Sequence, residues 1–235
     1  MIIYRSFSSF FAKEERFGSF KSLVLLVAFA ILATSNSYAQ ASFETIYGLC
    51  YRIDSDAKTA TLTANPNGEK YTGNIVVPGK VKASDGVEYT VTSLGDFCFY
   101  ECSRLRSINI PSSITSLGVA CFYGCSGLTS ITIPSSVTSL GNDCFEGCSG
   151  LKSINIPSSV TSLGDYCFYH CSGLTSITIP SSVTSLGNCC FNWCSGLTSI
   201  TIPSSVTSLG DYCFYHCIYN HRTTKTNQKY PSVNL

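Results

Sequence analysis

From Leu94 onward one hydrophobic pattern returns again and again along the chain. In the stretch Gly127–Gly141, GLTSITIPSSVTSLG, the apolar positions are Leu128, Ile131, Ile133, Val137 and Leu140, with serine, threonine and proline between them. Ile131 and Ile133 flank Thr132 in a period-2 alternation, which predicts a short strand with one covered face. Pro134 ends that strand because it has no N–H for the ladder. The following SSVTSLG predicts a turn that brings Val137 and Leu140 back inside. After Gly141, NDCFEGC has the length of a single helical turn, with Cys144, Phe145 and Cys148 on its buried side at i, i+1 and i+4.

The same phrase occupies 104–118, 150–164, 173–187 and 196–210, and Pro111, Pro134, Pro157, Pro180 and Pro203 mark a period of 23 residues. Cysteine keeps that period twice over. One series is Cys98, Cys121, Cys144, Cys167, Cys190 and Cys213, and the other is Cys102, Cys125, Cys148, Cys171, Cys194 and Cys217. A single unit cannot bury its own apolar face, so units must stack and share a continuous core. The spacing Leu128-x-x-Ile131-x-Ile133 meets the L-x-x-L-x-L of leucine-rich repeats, with isoleucine in place of leucine. The predicted fold class is a leucine-rich-repeat solenoid of the α/β type. A parallel sheet lines its concave face, turns and short helical turns form its convex face, and a small β-rich cap closes its N-terminal end.

Around the repeats at 94–217 the pattern changes. Residues 40–93 predict a β-rich cap with a degenerate first repeat. Its strands are YGLCYRI, KTATLTA, NIVV and EYTVT, with hairpin-like turns at Asn67-Gly68 and Asp85-Gly86. IVVP at 75–78 reads as a worn copy of ITIP. Residues 1–39 have the order of a signal peptide: Arg5, Lys13, Arg16 and Lys21, then the apolar run Leu23–Ala33, then small Ser37 and Ala39. The run is shorter than the roughly 20 residues of a spanning helix, so export without a transmembrane segment is expected, to the cell surface or beyond it. Cys50 in YGLC lacks the small residues expected before a lipidated cysteine. Residues 218–235 show no strand pattern and predict a disordered tail, the mark of a truncated array.

Composition narrows the chemistry. Charged residues are 12% of the chain and its formal net charge is +1, which points away from nucleic acid. DYCFYHC, at 165–171 and again at 211–217, has the look of a metal or redox clip, yet the positions equivalent to His170 and His216 hold Glu101, Gly124, Gly147 and Trp193. A ligand set would not vary in this way, so those histidines read as surface residues. A Cys171–His170 nucleophile lacks any group to orient its base. The paired cysteine series leaves three readings open: buried free thiols acting as small hydrophobes, disulfides between neighbouring coils, whose strands lie within disulfide reach, and metal or redox chemistry. No carboxylate pair, phosphate loop or zinc spacing appears, so neither enzyme nor cofactor is predicted.

The motif Cys-x-x-Leu-x-x-Ile-x-Ile-Pro-x-x-Val-x-x-Leu-Gly-x-x-Cys-Phe-x-x-Cys, carried through 94–217, resembles the BspA-like, or Treponema pallidum-type, class of leucine-rich repeats. Cys144 and its equivalents stand where that class more often has alanine. The resemblance implies a secreted or surface-exposed, non-catalytic, adhesin-like protein that binds a protein or glycan partner on host or neighbouring cells. Candidate contacts on the concave face are the series Arg106, Thr129, Lys152, Thr175, Thr198 and the series Asn109, Thr132, Asn155, Thr178, Thr201. On the convex turn they are Tyr100, Tyr123, Tyr169, Trp193 and Tyr215, while Phe145 and Phe168 join the cysteines as core. The alternative is a structural array that self-associates through an uncapped C-terminal coil.

Overall fold

The computed structural model describes residues 42–217; the expected leader at 1–39 and tail at 218–235 lie outside the described residues. From Gly127 onward neighbouring coils bond along three lines, whereas the strands Leu105–Asn109 and Ser130–Thr132 belong to separate sheets. On the first, β9 (Ser130–Thr132), β10 (Ser153–Asn155) and β12 (Ser176–Thr178) run parallel and in register, so that Ile131, Ile154 and Ile177 stack. The register is one full repeat per strand. A slip of one residue would turn the isoleucines outward. The worn IVVP forms β4 (Gly73–Val76), which pairs in parallel with β7 (Leu105–Asn109) and sets Ile75 opposite Ile108.

The second line was read from sequence as a turn and is a narrow parallel ladder. Four of the five Ser-Leu pairs in this segment form two-residue strands: β8 (Ser116–Leu117), β11 (Ser162–Leu163), β13 (Ser185–Leu186) and β14 (Ser208–Leu209). β11, β13 and β14 pair in order, and Leu140 bridges to Leu163. Two residues are too short for periodicity to show.

The third line replaces the expected helical turn. Among the described residues no helix forms; the segment after each Ser-Leu-Gly is a run of turns. Alternate amides point to the next coil, as in Phe122 N–H to Cys144 O at 2.8 Å and Phe145 N–H to Cys167 O at 2.8 Å. The amides between them close turns inside the coil, as in Cys148 N–H to Phe145 O at 3.1 Å. A helix would use all of these donors internally and leave the carbonyls of the adjacent coil without partners. The alternation requires left-handed backbone at two places per coil: Asp143 and Gly147 in one, Tyr166 and His170 in the next, Cys189 and Trp193 in the one after. Glycine fits such a site freely; the larger residues are held there by the bonds on either side.

The core is a set of single-residue columns. Phe99, Phe122, Phe145, Phe168, Phe191 and Phe214 stack at centroid spacings of 5.2 to 5.4 Å with planes within 5° of parallel. Leu128, Val137 and Leu140 and their inner equivalents are buried around them. Neighbours also approach closely at Gly150, where an added Cβ would lie 2.2 Å from the Ser126 carbonyl oxygen. Only glycine fits that position.

The cap ends these columns by mixing strand directions. β3 (Thr59–Thr63) runs parallel to β6 (Glu88–Leu94), which pairs with β8 and so carries the Ser-Leu ladder into the cap. β2 (Leu49–Asp54) then pairs antiparallel with β3, and β1 (Ser42–Ile46) lies beyond β2. β5 (Lys80–Lys82) makes the hairpin with β6 that Asp85-Gly86 predicts. Asn67-Gly68 does not make one, since it joins β3 to β4, which belong to different sheets. Neither β1 nor β5 was foreseen. Tyr71 seals the phenylalanine stack: its ring lies 5.3 Å from Phe99, and its hydroxyl accepts from Cys50 N–H at 3.0 Å and donates to Thr63 O at 2.8 Å.

Candidate binding faces

The outward side of the strand face is made by alternation. Between buried Ile131, Ile154 and Ile177, the strands present Ser130 and Thr132, Ser153 and Asn155, Ser176 and Thr178, all exposed. None of these six side chains makes a hydrogen bond among the described residues. Serine and threonine elsewhere in the coil behave differently. Ser159, Ser182 and Ser205 Oγ donate to Val137, Val160 and Val183 O at 2.6, 2.7 and 2.8 Å. Thr115 and Thr184 Oγ1 donate to Thr92 and Thr161 O at 3.3 Å each. Those hydroxyls already hold the preceding coil.

This contrast divides the candidate residues. Thr175 and Thr198 Oγ1 donate to the carbonyls of Lys152 and Thr175 at 3.2 and 3.5 Å. Asn109, Thr132, Asn155, Thr178 and Thr201 are exposed and make no side-chain bond, and so are Thr129, Arg106 and Lys152. Neither Arg106 nor Lys152 has an ion-pair partner among the described residues. A groove lined by Ile108, Asn109, Ser112, Thr132, Pro134 and Ser135 borders this face near β7 and β9.

On the turn side the candidates part in another way. Tyr100 and Tyr123 are half-buried and stacked at 4.8 Å, with Lys70 Nζ 5.2 Å from the Tyr100 centroid. They pack coil to coil. Tyr169 is half-buried against Tyr166 at 5.6 Å. Trp193 and Tyr215 are exposed, and Trp193 lies 4.1 Å from His216. Tyr166 and Tyr212 belong to this aromatic patch, and the sequence hides them because other repeats hold Ala120, Asp143 and Cys189 at their position. In the tyrosine series Glu146 and Asn192 are buried, and Asn192 Oδ1 has no partner.

All fourteen cysteines are free thiols, and all but Cys189 are buried. Cys125, Cys148 and Cys171 Sγ donate to the carbonyls of Phe99, Phe122 and Phe145 at 3.1 Å each, so one thiol column ties each coil to the preceding phenylalanine. Burial raises Cys167 to about 11 and pushes Cys144 and Cys148 well above the usual thiol range. Thiols so disfavoured as thiolates are poor nucleophiles. His170 and His216 sit exposed at left-handed positions, with φ of 57° and 56°, where two other coils have glycine. Among the described residues no group of three or more histidine, cysteine or acidic side chains is placed to hold a metal ion.

A family described as "BspA type Leucine rich repeat region" matches residues 92–225 in six copies. A leucine-rich repeat protein from Bacteroides ovatus is 29% identical, with 73% of this chain and 50% of that chain covered and a TM-score of 0.58. A leucine rich cell surface protein from Faecalibacterium prausnitzii is 28% identical, covering 75% of this chain and 52% of that chain at a TM-score of 0.55. The T. pallidum leucine rich repeat protein shares the fold, at 22% identity, 78% and 88% coverage and a TM-score of 0.58. The chain thus spans about half the length of the B. ovatus and F. prausnitzii proteins it matches. Among curated proteins, none matches.

Proposed function

As this chain belongs to the BspA type leucine rich repeat family, we propose that it is an exported, non-catalytic binding protein of the adhesin kind, taking a protein or glycan partner along its strand face. One observation carries the reading. The outward ranks on β9, β10 and β12 are regular, exposed and unbonded, whereas Ser159, Ser182 and Ser205, and Thr115 and Thr184, on the other sides of the coil donate to carbonyls of the coil before. A solenoid offers such a face as one extended surface. The surface location follows the F. prausnitzii neighbour, described as a cell surface protein, and the charge, apolar and small-residue order of residues 1–39.

The test is a binding screen of the whole chain against matrix proteins, glycans and cell surfaces, repeated with Thr132→Glu and Thr178→Glu together. Saturable binding that this pair abolishes and Tyr215→Ala leaves intact supports the strand face. The opposite outcome assigns binding to the turn side, and no saturable ligand at all sinks the proposal.

Self-association is the second reading. Ile202, Val206 and Leu209 of the last described coil are half-exposed, while Ile133, Val137 and Leu140 of an inner coil are buried. Sedimentation across a wide concentration range tests it; a monomer throughout rules it out.

A further inference from the structure

The strand face carries two matched pairs of a cation and an amide, set two coils apart. At its entry the coils hold Arg106, Thr129, Lys152 and Thr175, and two positions after the rank of serines they hold Asn109, Thr132, Asn155 and Thr178. A cation and an amide therefore occur together on one coil, are replaced by two threonines on the next, and return together on the third; the two coils after it, at Thr175 and Thr178 and at Thr198 and Thr201, hold threonine pairs. All of these side chains are exposed. Charge is also segregated around the coil. Within 94–217 the cations are Arg104, in the turn before β7, and Arg106 and Lys152 on the strand face. The acids, Asp96, Glu101, Asp143, Glu146, Asp165 and Asp211, are all in the turn segments.

We propose that this face takes a linear polysaccharide with a carboxylate on every second sugar, laid across the strands at one sugar per coil. The inference rests on the strand face being the binding surface. Paired strands of this face lie about 4.8 Å apart, close to the advance of one pyranose residue in an extended chain. Arg106 and Lys152 stand two coils apart, so they meet the acids of a disaccharide repeat in phase. Asn109 and Asn155 present an amide donor and acceptor to the same sugars. Thr129 and Thr132 face the neutral sugar between. The unbonded hydroxyls and amides lose no internal partner when a sugar binds, which favours a polyol over an apolar ligand. A polycation is excluded because no acid lies on this face.

The experiment titrates the full chain with hyaluronan oligosaccharides, which alternate a uronic acid with a neutral sugar, and with neutral chito-oligosaccharides of equal length. Hyaluronan is expected to bind more tightly as its length grows to span both cations. Lys152→Thr is expected to weaken it about tenfold, the loss of one charged contact. The decisive variant combines Arg106→Thr with Thr129→Arg, which keeps net charge and moves one cation to the neighbouring coil. It is expected to lose about the same factor, with an unchanged melting temperature because both positions are exposed. Equal binding by this variant overturns the proposal, since net charge alone would then suffice, and so does equal affinity for the neutral oligosaccharide. If hyaluronan fails while a protein ligand binds the strand face, this inference falls and the broader binding reading stands. If neither binds, both fall.

Discussion

The two sides of each coil answer the same repeat in opposite ways. On the turn side, side chains and main chain alike engage the neighbouring coil. Phenylalanine rings stack, thiols donate to phenylalanine carbonyls, alternate amides cross to the next coil, and glycine admits the Ser126 carbonyl. On the strand side β9, β10 and β12 pair in register, but the outward side chains of Ser130, Thr132, Ser153, Asn155, Ser176 and Thr178 make no hydrogen bond among the described residues. The surface proposed for binding is thereby separate from the contacts that hold the stack, so substitutions on the strand face leave those contacts in place. Such a division suits a repeat protein, in which neighbour contacts carry the folding energy.

Several measurements would break or sharpen that division. The largest effect is expected from alkaline pH. Buried thiols ionise in the unfolded chain near pH 9 but in the folded one only higher, at about 11 for Cys167. The unfolded state then holds fewer protons, so stability is full below pH 9 and falls as pH rises through that window. One such shift is worth about 2–3 kcal/mol, and several thiols shift together, so chemical denaturation at pH 10.5 should give a far lower midpoint than at pH 7.5. An unchanged midpoint would mean that the thiol columns are not buried and protonated.

Phe145→Ala comes next, at about 3–5 kcal/mol in unfolding free energy, because it opens a gap in a column packed on both sides. Gly150→Ala should cost about 1–3 kcal/mol by forcing apart two backbones in contact. Ser159→Ala removes one inter-coil bond and should cost about 1 kcal/mol by the same denaturation assay. Thr132→Ala, on the strand face, should stay within about 0.5 kcal/mol of the parent. A Thr132 effect as large as that of Ser159 would dissolve the contrast between the two sides.

Much of this was legible because the repeat is nearly perfect. Ile131, Ile133, Val137 and Leu140 announce their burial by spacing alone, and the two cysteine series announce their columns. The ranks Arg106 to Thr198 and Asn109 to Thr201 were readable as outward for the same reason. Less legible was whatever depends on bonds between coils. The Ser-Leu ladder has no period of its own. The turn segment looked helical because i, i+1 and i+4 suit a helix, yet its alternate amides serve the next coil. Thr175 and Thr129 look alike in sequence, but only Thr175 Oγ1 reaches the carbonyl of the coil before it.

By itself, then, the sequence determined the period, the inward columns, the leucine-rich-repeat class and the outward ranks of the strand face, all of them consequences of local spacing repeated in phase. The tertiary structure alone decided how the cap turns parallel ladders into antiparallel ones, why left-handed backbone replaces a helix, and which hydroxyls remain unbonded. Each of these depends on where a neighbouring coil places its carbonyls and amides, and no local pattern contains that information.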